Sequence, residues 1–440
     1  MIEVKDKSLI IHASTTEKGL YNPSKFDKRK LQHQIWACIK PITILFIASI
    51  FISFNLNAFG FNIRIQASDF LLPVFFIILL NQITSNQNPL KEAFKSLEIK
   101  AILFIFASLF FIGITGHWLN FGSTNFWGIK KIIGWCICVF YFLIGFSLYE
   151  KRQNVIQLFI VVSWFMGLLC LIGASLPCTR YILAPGLATR IQGFMGNPNA
   201  YGILCCFALL LQISSNHTLP YKKVIKNTSI AILLINLVST TSRAAWISFI
   251  AVYFFYALKN NKRKKLFTIK LTSTLIFIIM SILFKKNTIL ENYFPLIYSY
   301  FNYLNYSFEN IFLHTIHERI YSVLILLPAF SEHPITGIGL GGAMTLHHGQ
   351  EQYTIHNTAL WFLIEMGIIG FAAFTWFVYK LTTALRTSQD VYIKALIFPM
   401  LSFAIASLAN ELFYQRYFWV FAGMIMCDYI KRSQKIEIVA

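Results

Sequence analysis

The chain has 440 residues, of which 56% are hydrophobic, 16% aromatic and 13% charged. That charged share is about half the usual soluble-domain figure of roughly 25%, and it leaves no room for a sizeable soluble domain. A net charge of +20 would suit a nucleic-acid binder, but the basic residues sit in short loops between apolar runs, so no nucleic-acid partner is expected; the pattern is that of a membrane protein.

Residues 1–39 are polar and lysine-rich, with no early apolar core of the kind a cleavable signal peptide carries. They are expected to form a cytoplasmic tail. Apolar runs of bilayer-crossing length then recur along the chain. The expected spans are 40–59, 69–83, 99–115, 129–149, 154–175, 199–214, 224–241, 243–258, 266–284, 357–379, 393–409 and 412–430. The expected fold is therefore an all-α polytopic membrane protein of about twelve transmembrane helices. Its parts are the tail 1–39, nine helices over 40–284, a large extracytoplasmic connection over 285–356, three helices over 357–430, and a short cytoplasmic tail 431–440. The eight cysteines mostly lie inside apolar runs and form no zinc spacing, so they read as small hydrophobes.

Every second loop is basic. The series runs from Lys25, Lys28, Arg29 and Lys30 to Lys91 and Lys95, then Lys151 and Arg152, then Lys222, Lys223 and Lys226. It continues with Lys262, Arg263, Lys264 and Lys265, then Lys380 and Arg386, then Lys431 and Arg432. Positive loops stay inside, so both termini are expected in the cytoplasm. The opposite face then holds a medium connection, 176–198, and the long one, 285–356. The long one is rich in Tyr, Phe and Asn, and parts of it are too apolar for a free loop. Short helices on or dipping into the membrane surface are expected there.

Outer-facing arginines are scarce: Arg64, Arg180, Arg190, Arg243, Arg319 and Arg416. Arg64 and Arg180 read as snorkelling residues. Arg190, Arg243 and Arg319 have small or polar neighbours, and cations gathered on one face suggest a bound anion, phosphate above all. His356, just before an apolar run, is the candidate base; Asn357 beside it is placed to orient a sugar or the imidazole. Asn197 and Asn199 in "MGNPN" are supporting candidates, and His347 and His348 in a glycine-rich stretch could bind substrate or metal. His314, His317 and Glu318 do not make a zinc motif. Glu365 is an intramembrane carboxylate, most simply an internal partner for an arginine. Asp69 is the one aspartate placed on the outer face, so carboxylates to hold a divalent cation are lacking there and no metal or cofactor is expected.

Together, "RIQGFMGNPNAYG" (190–202), "STTSRAAWISF" (239–249), "ERIYSVLILLPAFSEHPITGIGLGG" (318–342) and "HNTALWFLIEMGIIG" (356–370) resemble the O-antigen ligase and polymerase superfamily of bacterial membrane glycosyltransferases. "FGFNIRIQASDFLLP" (59–73) is similar to the family's first outer loop. The resemblance implies a GT-C-like enzyme of the bacterial inner membrane, working on its periplasmic side without cofactor. Its donor would be a glycan on undecaprenyl diphosphate, transferred whole to an acceptor hydroxyl. By position Arg190, Arg243 and Arg319 would bind the donor diphosphate, with Arg319 and His356 catalytic. The leading expectation is an O-antigen ligase acting on a lipid A–core sugar. A polymerase of lipid-linked repeat units is the alternative. A protein oligosaccharyltransferase and a transporter of lipid-linked sugars stay open behind it.

Overall fold

The computed structural model describes residues 41–58, 61–84, 96–122, 126–175, 190–215, 223–259, 320, 324–346 and 355–439. The expected span 266–284, most of the 285–356 connection, Arg180, His314, His317, Glu318, Arg319, His347 and His348 lie outside the described residues. The chain divides into two compact units, Met1–Leu45 and Phe46–Ala440. Of the first, residues 41–45 are described and are helical. All that follows concerns the second.

Helices dominate: α1 (Leu72–Thr84), α2 (Leu97–Phe121), α3 (Phe126–Ser147), α4 (Arg152–Ser175), α5 (Pro198–Ser214), α6 (Lys223–Ser239), α7 (Arg243–Lys259), α8 (Gly342–Leu346), α9 (Thr358–Thr387), α10 (Val391–Ala395), α11 (Ile397–Ser407) and α12 (Arg416–Val439). Residues 324–332 are also helical. Four described segments are long and apolar enough to cross a membrane: Leu97–Phe121, Trp127–Ser147, Tyr149–Ala174 and Thr358–Thr387. Large apolar residues such as Phe104, Phe111 and Ile133 face outward from them, as a lipid-facing surface requires.

One departure from the all-α expectation is clear. The run read as a first span over 40–59 is helical only to Ile50. Strand β1 (Ser53–Ala58) then pairs antiparallel with β2 (Phe61–Gln66). The reason lies in the period. "SFNLNA" and "FNIRIQ" alternate polar and apolar residues, and the register sets Ser53, Asn55 and Asn57 opposite Gln66, Arg64 and Asn62. A period of two suits a pleated ribbon and cannot give a helix an all-apolar surface.

Contacts at the helix ends fix their directions. Ser214 at the end of α5 donates to the Ala395 carbonyl at 2.6 Å, and the Tyr256 ring near the end of α7 lies 5.0 Å from Phe398. So α11 runs antiparallel to α5 and α7. Asn357, before α9, donates to the Leu408 carbonyl past the end of α11 at 2.9 Å. The starts of α5, α7 and α9 therefore share one end of the bundle, hereafter the site end.

The opposite end is the basic one. There Arg152 bonds Asp390 at 2.7 Å, Lys431 pairs with Glu150, and Arg432 pairs with Asp428 at 3.0 Å. Asp428 also accepts from Tyr149 (2.8 Å) and Ser388 (2.7 Å).

The core between the ends is aromatic: Phe106, Trp135, Phe142, Phe377, Phe413 and Trp419 meet edge-on or stacked. Helices α3 and α12 cross closely because Gly145 and Gly423 lack side chains. A Cβ on Gly145 would meet the Val420 carbonyl oxygen at 1.9 Å. Small residues at such crossings let helix backbones approach, as in membrane bundles.

Candidate active site

The turn between α6 and α7 is built by its own sequence, "TTSRAAW". Thr240 donates its hydroxyl to the Leu237 carbonyl at 2.7 Å, and the Ser242 amide bonds back to that hydroxyl at 3.3 Å. Trp246 reaches back with its indole N–H to the Leu237 carbonyl at 2.8 Å. Thr241 takes a φ of 50°, an uncommon conformation for a β-branched residue that this lacing holds in place. Arg243 is the first residue of α7, half-buried.

The segment "RIQGFMGNPN" packs onto that turn. The Ile191 amide donates to the Ser239 carbonyl at 3.0 Å, and Arg190 donates from Nε to the Thr240 carbonyl at 3.2 Å and from Nη2 to Asn199 Oδ1 at 3.0 Å. Asn197 caps α5, accepting from the amides of Asn199 (2.8 Å) and Ala200 (3.1 Å), with Pro198 in the first turn. This is the ordinary reason for Asn-Pro at a helix start. Gly202 lets the first turns of α5 and α7 meet: a Cβ there would lie 2.9 Å from Ser242 Cβ. Beneath, Tyr201 donates to Asn236 at 2.9 Å, and Asn236 donates to the Gly167 carbonyl at 3.0 Å, tying α4, α5 and α6 together.

The Arg190 guanidinium thus lies between two helix N-termini, one of which Arg243 opens. Each N-terminus carries a partial positive charge of about half a unit, which favours an anion; the first-turn amides of α5 are themselves taken up by Asn197. Arg190 is bonded to the Thr240 carbonyl, three residues before Arg243. Asn199 fixes the Arg190 fork; Asn197 serves the helix. Arg416, by contrast, is taken: it pairs with Asp69 through Nη2–Oδ2 at 3.0 Å and Nε–Oδ1 at 3.3 Å. Tyr141 donates to Asp69 at 3.0 Å and to Ser68 at 2.5 Å. Asp69 is thus a structural partner.

His356 is exposed at the site end, just before α9. Asn357 is the N-cap of α9, accepting from the Leu360 amide at 3.0 Å while its Nδ2 holds Leu408. Both amide functions are engaged, so Asn357 supports His356 by fixing the backbone beside it. Thr358 donates to the Asn410 carbonyl and accepts from the Leu412 amide, at 2.9 and 3.0 Å. The 408–412 turn is therefore bound to the start of α9.

Glu365 is fully buried and accepts from the Gly341 amide at 2.9 Å. The sequence suggested an arginine; a backbone N–H takes that place. The contact belongs to a larger device. Helix α9 is broken at Gly367 (φ 66°, ψ −166°), a conformation open essentially to glycine alone. Residues 334–341, "PITGIGLG", thread into the break. The amides of Ile338 and Gly339 donate to the carbonyls of Ile364 and Glu365, at 3.0 and 2.9 Å. The amides of Ile368 and Ile369 donate to the carbonyls of Pro334 and Ile335, at 2.9 and 3.3 Å. The backbone groups freed by the break are thereby paired again, as a membrane interior demands.

Each alternate glycine of this loop meets a different helix backbone: Gly337 meets α9 at Glu365–Gly367, Gly339 meets α2 at His117, and Gly341 meets α3 at Trp127. From Thr358 to Gly367 is about 14 Å along the axis at 1.5 Å per residue. The end of the long connection therefore plunges well below the level of His356.

Residues 228–375 match a family model described as O-antigen ligase. That match supports the O-antigen ligase superfamily for this chain. The matched segment includes the Arg243 turn, the threaded glycine loop, His356 and Glu365. Arg190 and Asn199 lie before it and join it through Thr240. None of the curated proteins compared matches the chain.

Several residues of the site end were missed by the sequence reading, which among the cations of that face weighed arginines but no lysine. Lys131 pairs with Glu411, and its ammonium lies 5.2 Å from the Trp361 ring centre and 4.9 Å from that of Tyr414. The signal was present: "KK" opens a span on the face where the charge rule disfavours lysine, and a glutamate stands in the short outer loop "NELFYQR". Buried His117, against the glycine loop, was missed as well; a histidine near the end of an apolar run carries little signal.

Proposed function

We propose that this protein is an O-antigen ligase of the bacterial inner membrane. It moves a completed glycan from undecaprenyl diphosphate to a sugar hydroxyl of the lipid A–core on the periplasmic side. The observation that carries this reading is the place of Arg190 between the N-termini of α5 and α7, the latter opened by Arg243, at the same bundle end as His356. A diphosphate leaving group needs fixed positive charge, and an acceptor hydroxyl needs a base at the water boundary. The family match over 228–375 supports the same class of chemistry.

In the proposed step His356 takes the acceptor proton as the acceptor oxygen attacks the anomeric carbon. The bond from that carbon to the phosphate oxygen breaks, and its electron pair leaves on the diphosphate. Arg190, Arg243 and Arg319 hold the charge that develops; Arg190, already fixed by Thr240 and Asn199, reorganises little. Attack opposite the leaving group inverts the anomeric centre. His347 and His348 are proposed as further substrate-binding residues. The twelve-span arrangement, with both termini in the cytoplasm and a GT-C-like bundle, is the topology this reading requires. The alternate basic loops support it.

Deletion of the gene in its host, with lipopolysaccharide run on a gel and the lipid-linked pool assayed alongside, tests the proposal. Core free of O-antigen, with long polymer accumulating on the lipid carrier, is expected. Core bearing a single repeat unit would make the enzyme a polymerase, and an unchanged profile would exclude both.

A further inference from the structure

The Arg190–Arg243 region suits an anion, but an acceptor sugar presents neutral hydroxyls and needs a different surface. A candidate lies where the 408–412 turn meets the start of α9. Lys131, in the opening turns of α3, pairs with Glu411 in the turn between α11 and α12. That turn is bonded to Thr358, two residues after His356. The pair therefore lies by the first turns of α9, and 17% of each side chain stays accessible.

Its hydrogen-bonding capacity is only partly used. Among the described residues, Lys131 hydrogen-bonds one partner, Glu411 Oε1, and its ammonium lies beside the Trp361 and Tyr414 rings. The second Glu411 oxygen accepts from no described residue, and the Tyr414 hydroxyl is buried without a hydrogen-bond partner among them. Buried polar groups are normally satisfied. An ammonium with two spare N–H groups, a spare carboxylate oxygen and a phenol, gathered in one place with no net charge from the pair, match the donors and acceptors of adjacent sugar hydroxyls.

We propose that Lys131, Glu411 and Tyr414 form the subsite that receives the neutral acceptor sugar and holds its reacting hydroxyl toward His356. The inference rests on the ligase reading above and specifies its acceptor side. A purely structural ion pair is the competing explanation. It would serve only to tie α3 to the 408–415 turn, and an apolar pair of similar volume could replace it without harm to function.

The test uses the full-length protein in nanodiscs, with a polyprenyl-diphosphate glycan as donor and O-antigen-free lipopolysaccharide as acceptor. The double variant Lys131→Met/Glu411→Leu is expected to keep its melting temperature, to raise the acceptor KM at least tenfold and to leave the donor KM within twofold. A folded double variant with the wild-type acceptor KM, or with both KM values raised alike, would overturn the subsite. Should that variant not fold, Tyr414→Phe removes a single hydroxyl, and an unchanged acceptor KM there would overturn it equally. A wild-type protein inert toward this acceptor would instead sink the ligase reading. Binding of free core oligosaccharide, followed by tryptophan fluorescence, then decides the subsite separately. Binding by the wild type that the variant loses supports it, and no binding by the wild type overturns it.

Discussion

Glu365 and Gly341 are joined by a 2.9 Å hydrogen bond from backbone amide to carboxylate, wholly buried beside the break in α9. The bond pins the end of the long connection inside the helical bundle. Glu365→Leu leaves the Gly341 amide without an acceptor, at a cost of about 1–3 kcal/mol. Glu365→Gln keeps an acceptor oxygen and is expected to lose less. Melting temperatures in detergent rank the wild type above Gln and Gln above Leu; equal values for Gln and Leu would deny the bond any part in stability.

Gly339 stands at φ 88°, and a Cβ there would fall 2.0 Å from the His117 amide nitrogen. The left-handed conformation alone costs an L-residue about 1–2 kcal/mol, and the overlap with helix backbone cannot relax through a side chain. Gly339→Ala is expected to abolish accumulation of folded protein in membranes. Gly122, also at positive φ but with open space around it, is the control: Gly122→Ala pays only the backbone term, and blot intensities for the two variants should separate clearly.

Arg190 donates to both Thr240 and Asn199. Arg190→Lys keeps the charge and loses the planar fork, so transfer should fall about 10- to 100-fold, the scale of one lost charge-assisted hydrogen bond. Asn199→Ala, which frees the fork without removing it, should fall by less. Wild-type turnover in Arg190→Lys would remove that residue from donor binding.

His356 is exposed and adjoins a cap that Asn357 supplies. His356→Ala should therefore leave abundance and melting temperature untouched while transfer drops by about 10²- to 10⁴-fold, the usual contribution of a general base. Full activity would move the base elsewhere at the site end.

At the basic end Asp390 is partly buried, which alone would raise its carboxyl pKa. The bond from Arg152 and the amides of Ile393 and Tyr392 outweigh this and hold it below the usual carboxylate range. A depressed folded pKa contributes stability that is complete above the unfolded value, about 3.9, and fades as pH falls through the folded one. Asp390→Asn should lower the melting temperature at neutral pH, and the difference from wild type should shrink below about pH 4. A constant difference across that window would contradict the ionic role.

Long apolar runs and alternating basic loops made the helices and their directions legible, because burial in lipid leaves little freedom in length and charge placement. The pairing of Arg190 with the Arg243 turn was legible in part, through the scarcity of outer arginines. The β1–β2 hairpin was hidden by its apolar residues, which satisfied a hydropathy window while their spacing of two went unread. The threading of "PITGIGLG" into α9 could not be read locally. It depends on Gly367, some 25 residues away, and on the backbones of α2 and α3, so only long-range packing explains why alternate residues must be glycine. Lys131 and Glu411 escaped because the search for cations on the outer face was confined to arginines.

The most direct test of the central claim is transfer by the purified protein in nanodiscs. The donor is a polyprenyl-diphosphate-linked glycan and the acceptor O-antigen-free lipopolysaccharide, with chelator present and no nucleotide. Glycan joined to the core, with one free polyprenyl diphosphate released per glycan moved, is the expected result. Donor that binds but is never cleaved by a folded protein, with this acceptor present, would contradict the account.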